Sequence, residues 1–303
     1  MAAKDNLALV VLCSTLGYDM KNEKNTVKPL TTAAYNKVGA RLDSLGFMPS
    51  IFLEEKFSDI SGLFAFADKE VEQISQLLGR ADKLGEELDR LAEKKIYVVS
   101  RIQDNYPAKL KKAMGKQAPI IFFYCGDTRL LDGETVAIIG SREVTDDERD
   151  YTAKHARISA QNNRVIVSGG ARGVDTIAKE SALHAGGKVV TFVSDDMTGY
   201  IAKNADFILW DKMLTLSAFH PDAAFQGYNA LERNKYIYAS SDYAVVVSSG
   251  DGTGGSYKGA VDCLKKKYCP LYVKDDTYSP PGNKKLIELG GIPLGEGHER
   301  LSN

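Results

Sequence analysis

Three glycine-containing turns in the sequence have the residue types and the spacing that phosphate binding requires. They lie at residues 140–142, 168–173 and 252–256. Each turn follows a short apolar run and precedes a helical pattern, an arrangement that directs backbone N–H groups and a helix N-terminus at an anion. The first two turns also carry one arginine each, Arg142 and Arg172. We therefore predict a phosphate-binding crevice.

The apolar runs before these turns predict the strands that hold them. The runs are short, rich in β-branched residues and not alternating, which is typical of parallel strands buried on both faces. Helical patterns separate them from further runs, and the section from residue 194 to Trp210 and beyond is predicted to be mostly helical. Such alternation favours an α/β fold with a mostly parallel, doubly wound sheet. The predicted strands are 96–99, 120–124, 136–139, 165–167, 189–193, 244–247 and 271–273.

The apolar pattern changes after the first third of the chain and predicts two domains. Residues 1–94 carry apolar residues at helical spacing, in 31–45 and in 68–94, and are predicted to form an N-terminal helical domain. Residues 95–303 are predicted to form the α/β domain. The apolar run at 7–13 is interpreted as a core element, because one lysine precedes it and no small-residue cleavage site of a signal peptide follows it.

The composition limits the classes of function. The chain has 303 residues and a formal net charge of −1. This charge excludes a strongly basic nucleic-acid binder at the level of the whole chain, but it does not exclude a local basic patch. The four cysteines lack the spacing of zinc sites, and no apolar stretch has the length of a membrane span. We expect reduced thiols in a soluble, cytoplasmic protein.

The second and third turns differ from the common nucleotide-binding motifs. The second does not match G-x-G-x-x-G, and no acidic residue directly closes the strand at 189–193, so a nicotinamide cofactor is not expected. The third is close to the P-loop spacing, but Ser256 stands where a lysine would reach the terminal phosphates, which disfavours ATP hydrolysis. The alternative for each turn is a tight connection that needs glycine for steric reasons and binds nothing.

The sequence contains no recognisable catalytic set. It has no G-x-S-x-G, no H-E-x-x-H, and no cysteine paired with histidine at a suggestive spacing. A site rich in phosphate-type turns and poor in nucleophiles indicates binding, so we expect no enzymatic activity, no metal and no cofactor. Arg233 and Lys235 precede the strand at 244–247 and are predicted near the crevice. The candidate phosphate-binding residues are Gly140, Ser141, Arg142, Ser168, Gly169, Gly170, Ala171, Arg172, Gly173, Arg233, Asn234, Lys235, Gly252, Thr253, Gly254, Gly255 and Ser256.

Together these residues resemble the motifs of the DNA-processing protein A (DprA/Smf) family. The family motifs are a strand ending in GSR, then SG-x-ARG-[IV]-D, then RN-[RK] before a strand, and then a Gly/Ser/Thr loop. This chain has them in the same order, at 140–142, 168–175, 233–235 and 253–256. The resemblance covers roughly residues 95–294, and several motifs in one order make it more specific than any single motif.

The resemblance implies an extended Rossmann-like domain without established catalysis. In the family this domain binds single-stranded DNA and delivers it to the RecA recombinase in natural transformation, often as a homodimer. We therefore expect single-stranded DNA, RecA and a second copy as partners, and no membrane. The chain departs from the family at Lys235, where an arginine would bind phosphate in a bidentate way. The given sequence ends at Asn303, so the C-terminal winged helix of some members is not expected.

A wider superfamily with this type of sheet offers a second interpretation. It includes cytokinin-activating phosphoribohydrolases, which resemble G-G-x-G-T-x-x-E at the last loop, and sensors of nucleotide signals in phage defence. Gly252 and Thr253 match in part, but Ser256 replaces the catalytic glutamate, which argues against the hydrolase. A nucleotide-signal sensor is the alternative function, because a narrow phosphate crevice suits one nucleotide as well as a strand. A continuous basic groove would favour the strand, and a closed pocket would favour the nucleotide.

Overall fold

The computed structural model describes residues 2–18 and 27–295, which form two compact units. The first unit comprises the chain up to Tyr106, Lys116–Tyr124 and Ala218–His220. The second unit comprises Pro107–Gly115, Cys125–Ser217 and the chain from Pro221 onwards. The first unit continues past residue 94, and a domain division after that residue stays a prediction. None of the helices in the described part of the chain has the length and apolar character that a bilayer crossing needs.

The first unit is mostly helical, as the apolar spacing predicts. Helix α2 begins after Thr31, whose hydroxyl oxygen accepts the N–H of Ala34 at 3.2 Å, and it ends at Gly46 in the left-handed conformation. Strands β1 and β2 pair antiparallel. The elements are α1 (Ala2–Cys13), α2 (Thr32–Leu45), α3 (Ile51–Glu54), α4 (Phe57–Ile60), α5 (Asp68–Leu78), α6 (Ala81–Glu93), β1 (Tyr97–Ser100) and β2 (Ile121–Cys125).

The buried side chain of Arg80 holds the end of α1 in this unit. Its guanidinium donates hydrogen bonds to the carbonyl oxygens of Val11, Ser14 and Leu16, at 2.7 Å to that of Ser14. The last carbonyl groups of a helix lack intrahelical partners, and a cation at this position satisfies them. The guanidinium also lies 4.3 Å from the ring centroid of Tyr18. The apolar run predicted as a core element is thus a helix anchored at its C-terminus.

The second unit alternates strands and helices. The first of its helices is α7 (Ala108–Met114). The following elements are β3 (Thr135–Ile139), α8 (Asp146–Gln161), β4 (Val165–Ser168), α9 (Val174–His184), β5 (Val189–Phe192), α10 (Met197–Lys203), α11 (Ala205–Leu209), β6 (Met213–Ser217), α12 (Gly227–Ala239), β7 (Tyr243–Val246), α13 (Gly254–Lys266), β8 (Leu271–Lys274), α14 (Pro281–Glu288) and β9 (Ile292–Leu294).

The strands of this unit form a parallel sheet in the order β6-β5-β4-β3-β7-β8-β9. Helices cover both faces. Val136 and Val189 belong to a buried cluster with residues of α8 and α9. Phe192 points to the opposite face because side chains alternate along a strand, and its ring centroid lies 6.2 Å from that of Tyr236 on α12. The predicted doubly wound, mostly parallel sheet is confirmed.

Two strands were not predicted from the sequence. The section expected to be mostly helical as far as Trp210 and beyond contains α10 and α11, but Met213–Ser217 then forms strand β6 beside β5. Strand β9 is three residues long and pairs with β8 at the edge of the sheet. In β6 every residue is buried, and its two hydroxyl-bearing residues interrupt the apolar pattern that identifies the other strands.

The buried side chain of Asn283 fixes the start of α14 beneath the third turn. Its amide nitrogen donates to the carbonyl oxygens of Val247 at 3.0 Å and Lys274 at 2.9 Å. Its amide oxygen accepts the hydroxyl of Ser249 at 3.1 Å. Asn283 is 0% exposed, so its amide takes the place of water as hydrogen-bond donor to the carbonyl groups at the ends of two strands.

We predict that Asn283→Ala lowers the free energy of unfolding by about 2 kcal/mol, because two buried carbonyl groups lose their donor. Lys284→Ala, at the exposed neighbouring position, is the matched control and should change it by less than about 0.5 kcal/mol. Chemical denaturation of both variants measures the difference. Equal stability of the two variants would contradict the role given to Asn283.

Candidate phosphate-binding site

The three turns meet where the order of the sheet reverses. The chain runs from β3 through β4 and β5 to β6 on one side of the sheet, and from β7 through β8 to β9 on the other. Ligands of doubly wound sheets bind outside the carboxyl ends of the strands at this reversal. The first, second and third turns follow β3, β4 and β7 respectively. The fold therefore brings together the turns that the sequence predicts as one site.

Glycines allow the first and second turns to pack backbone against backbone. A β-carbon on Gly140 would overlap the side chain of Val174, and one on Gly173 would overlap the carbonyl oxygen of Ser141. Gly173 also has a φ of 79°, which favours glycine. The N–H of Val174 donates to the carbonyl oxygen of Ser141 at 3.1 Å. Both glycines are therefore required by packing, and Gly173 also by the path of the chain.

The third turn leads into a helix whose start is not capped by a side chain. Thr253 precedes α13 without a side-chain hydrogen bond to it, and the first turn of α13 has no acidic residue. Helix α8 differs, because Thr145 and Glu148 form a capping box at its start. An uncapped helix start offers N–H groups and partial positive charge to an anion. The start of α13, which lines the first cavity, is therefore available to a phosphate, and so is the start of α12, which is likewise uncapped and lines the same cavity.

Serine side chains connect the first and third turns. The hydroxyl of Ser256 donates to the carbonyl oxygen of Gly140 at 2.5 Å, and the N–H of Ser141 donates to the hydroxyl oxygen of Ser248 at 3.1 Å. Ser256, which stands at the position of the P-loop lysine, is thus a link between two turns.

The second turn is occupied by a carboxylate of the protein itself. Asp175, in the first turn of α9, accepts the N–H of Gly169 at 3.1 Å and that of Ala171 at 3.4 Å. These two N–H groups are therefore already bonded, unlike those expected for a phosphate cradle. What the second turn offers to a ligand is the exposed guanidinium of Arg172.

Arg233 is buried behind the second turn and is only 5% exposed. Its Nη1 donates to the carbonyl oxygens of Gly169 and Phe192, at 2.9 Å to that of Phe192. Its Nε has no hydrogen-bond partner in the described part of the chain. The sequence predicts a phosphate contact here, whereas the structure shows a guanidinium that joins the ends of β4 and β5.

Asp175 and Arg233 each oppose the effect of burial on the pKa of the other. Burial raises the pKa of Asp175, and Arg233 and the N–H groups of Ala171 and Gly169 act against that shift. Burial lowers the pKa of Arg233, and Asp175 acts against that shift. An anion bound beside Arg233 would favour the charged guanidinium in the same direction as Asp175 does.

Two neighbouring cavities form one groove along the turns. The first cavity, of about 480 Å³, follows the first and third turns. The second cavity, of about 300 Å³, follows the second turn and is lined by all three predicted arginines. Both are lined by Arg142, Ala171, Phe225 and Arg233. The site is therefore a groove made of two adjoining cavities.

Most of the predicted residues line this groove, and four do not. Ser168 is buried, Gly173 packs against Ser141, and Gly252 lies outside both linings. Lys235 forms an ion pair with Glu232 at 2.6 Å. The residues that line one or both cavities are Gly140, Ser141, Arg142, Gly169, Gly170, Ala171, Arg172, Arg233, Asn234, Thr253, Gly254, Gly255 and Ser256.

Phe225, an aromatic residue that was not predicted from the sequence, lines both cavities. Phe225 is 56% exposed, and the guanidinium carbon of Arg142 lies 5.5 Å from its ring centroid. In the sequence Phe225 is one of two phenylalanines in the loop before α12, and nothing in the pattern distinguishes it from Phe219. Tyr200 and Lys203 of α10, which line the second cavity, were also missed because the helical pattern there gives no indication of the groove.

The side chains of Tyr200 and Thr191 leave no space for a side chain at Gly170. Gly170 has a φ of 68°, and a β-carbon there would lie 2.8 Å from the ring of Tyr200 and 3.0 Å from the methyl carbon of Thr191. A larger residue at this position would therefore displace Tyr200 as well as strain the backbone.

We predict that Arg233→Met lowers the free energy of unfolding by about 3 kcal/mol, because it leaves Asp175 and two carbonyl oxygens without their cationic partner. Arg172→Met, at an exposed position of the same groove, is the control and should leave stability within about 0.5 kcal/mol of the wild type. Denaturant unfolding measures both variants. Wild-type stability of Arg233→Met would show that the guanidinium does not support the turn.

Comparison with known proteins agrees with the fold and the motifs. DNA processing protein DprA of Streptococcus pneumoniae (strain ATCC BAA-255 / R6) is 31% identical over 161 residues, which cover 52% of this chain and 55% of that protein. The chain thus spans about half the length of this relative. The X-ray structure of DprA from Streptococcus pneumoniae has a TM-score of 0.70 at 22% identity, over 95% of this chain and 98% of that chain, and shows the same fold.

A further similar structure is that of DNA processing protein A from Helicobacter pylori, which was studied for its single-stranded DNA binding mode. It is 30% identical with a TM-score of 0.54, and the match covers 66% of this chain and 90% of that chain. The model of the family described as DNA recombination-mediator protein A matches residues 97–293. Since this match covers well over half of the sequence, the chain belongs to the DNA recombination-mediator protein A family.

Proposed function

We propose that this protein binds single-stranded DNA along the groove formed by the first and second cavities. In this role it protects or processes incoming DNA and loads RecA in recombination or natural transformation, in the cytoplasm. The proposal extends to this chain the binding for which the Helicobacter pylori protein was studied.

The observation that carries the proposal is the meeting of Arg142, Arg172 and Arg233 at the second cavity. Arg142 and Arg172 are exposed and have no ion pair with any residue that the structure describes. Phosphates dominate the affinity of proteins for nucleic acids, and unpaired cations along a groove supply that contact without reading sequence.

Phe225 adds a surface for bases beside the phosphate contacts. Its ring is exposed and lies against the guanidinium of Arg142. Stacking of a base on an aromatic ring contributes about 1–3 kcal/mol and is tolerant of sequence. Duplex DNA cannot use such a ring while its bases remain paired, so this arrangement favours a single strand.

A nucleotide-signal sensor is the second candidate function. The uncapped start of α13 suits one phosphate group as well as a strand. The groove argues for the strand, since its two cavities lie side by side and share four lining residues.

We further propose that the protein has no enzymatic activity, that it forms a homodimer and that RecA is a partner. Ser256 uses its hydroxyl to bond Gly140, and Asp175 is engaged by two N–H groups and by Arg233, so neither is positioned as an activated nucleophile or base. Ile292 and Leu289 are exposed at the β9 edge of the sheet, where a second copy has apolar surface to cover.

We expect purified protein to bind labelled oligothymidine more tightly than duplex DNA of the same length. Arg142→Ala and Arg172→Ala should each weaken binding and reduce the slope of log affinity against log salt by about 0.7, the value for one phosphate contact with a single strand. Lys266→Ala, at the other end of α13 from the third turn, is the control and should keep the wild-type slope.

Fluorescence anisotropy at several salt concentrations makes this measurement, and melting curves establish that each variant is folded. Equal affinity for duplex and single strand would contradict the proposal. Tight binding of a mononucleotide without any binding of DNA would replace it with the sensor function.

We also expect no release of phosphate from ATP and no release of base from a nucleoside monophosphate above a blank without protein. The physical reason is the absence of the P-loop lysine and of the hydrolase glutamate at Ser256. Colorimetric phosphate detection and chromatography of the nucleoside products measure this. Turnover that disappears in Ser256→Ala would contradict the assignment as a binding protein.

A further inference from the structure

A third cavity continues the groove on the far side of the second turn. It has a volume of about 500 Å³ and lies beside α9. It shares Gly170, Tyr200 and Lys203 with the second cavity. Because Gly170 has no side chain, the ring of Tyr200 lies against the backbone of the turn and forms the wall common to both cavities. The groove therefore extends beyond the arginine-bearing turns.

One face of α9 lines this third cavity. Thr176, Lys179, Glu180 and His184 lie on this face, so the lining contains one carboxylate, that of Glu180, beside the cation of Lys179. Val174, Ala178 and Ala182 lie on the other face and are 0% exposed in the core. Because the apolar face of α9 is buried in the core, its opposite, polar face lies towards the cavity.

Lys179 is a cation whose partners are neutral. Its ammonium nitrogen donates to the amide oxygen of Asn204 at 3.0 Å and lies 5.5 Å from the ring centroid of Tyr200. Among the residues described, it forms no ion pair, although the exposed Glu180 contributes a favourable field. Lys109 of the same unit, by contrast, pairs with Asp242 at 2.6 Å.

The surroundings of Lys179 favour an anionic ligand. Burial lowers the pKa of its ammonium group, because the charged form loses hydration. No carboxylate among the described residues contacts the ammonium group directly to offset that loss. Lys203 and His184 are exposed at the same cavity and bring further donors to an anion. A phosphate placed there would supply the direct ionic partner that Lys179 does not find in Glu180, which lines the same cavity without pairing with it.

We propose that the third cavity is a second phosphate subsite, in which Lys179 and Lys203 bind the backbone of the DNA strand after it has passed the arginine-bearing turns. This inference rests on the proposed function, and it assigns a strand longer than one nucleotide as the ligand of the groove. The shared chemistry is the phosphate group, which a free polyphosphate also carries.

The test compares oligothymidines of increasing length, from about 4 to about 16 nucleotides, by fluorescence anisotropy. Lys179→Gln should weaken binding of the longest oligomer by about three- to tenfold and reduce its salt slope by about 0.7. Binding of the shortest oligomer, which the arginine-bearing turns accommodate, should not change. Lys179→Arg should restore the long-oligomer affinity, and Lys266→Gln is the matched control, with melting curves for all variants.

Each outcome decides between the alternatives. If the wild type binds oligothymidine and Lys179→Gln binds every length as tightly, the subsite is overturned while the proposed function stands. If the wild type binds no oligothymidine, both are overturned. Unlabelled tripolyphosphate and unlabelled long oligomer are compared as competitors of the labelled long oligomer. If tripolyphosphate competes at the same molar concentration as the oligomer, and this competition depends on Lys179, the cavity binds a free phosphate compound and the strand assignment is overturned.

Discussion

One buried guanidinium supports the carboxyl end of the sheet in the second unit. Arg233 bonds the carbonyl oxygens of Gly169 and Phe192, which lie just where two adjacent parallel strands end and backbone groups lose their ladder partners. Gly169 permits this, because a β-carbon there would overlap the guanidinium. The position of the second turn, and with it the position of Arg172 at the groove, depends on this contact.

This support changes how the groove recognises an anion. In a P-loop, N–H groups and a lysine surround the phosphate. Here Asp175 takes two N–H groups of the second turn and faces Arg233, so this turn is balanced internally. For the anion that we propose as ligand, this leaves the uncapped start of α13 and the exposed cations along the rim. Such a surface fits the proposed binding of a DNA backbone by charge better than the enclosure of a single nucleotide.

The sequence predicts the fold well where one physical requirement dominates. Buried parallel strands need continuous apolar runs, and their turns need glycine for close approach, so the three turns and their strands were predictable. Strand β6 was not, because Thr215 and Ser217 interrupt its apolar run. The burial of Arg233 was not predictable either, since the same motif is compatible with a solvated arginine. Whether the side chain is buried depends on how α12 packs against the sheet. Phe225 and Lys179 carry no pattern of their own, as their role depends on which cavity they line.

A net charge of −1 is compatible with a DNA-binding groove because of how the charges are paired. Lys109, Lys235 and Lys274 each contact a carboxylate within 2.7 Å, so their fields are largely cancelled. Arg142, Arg172 and Lys179 have no such pairing among the described residues. At physiological ionic strength a field is screened within about 8 Å. For the strand that we propose as ligand, the local potential is therefore set by the unpaired cations of the groove rather than by the charge of the whole chain.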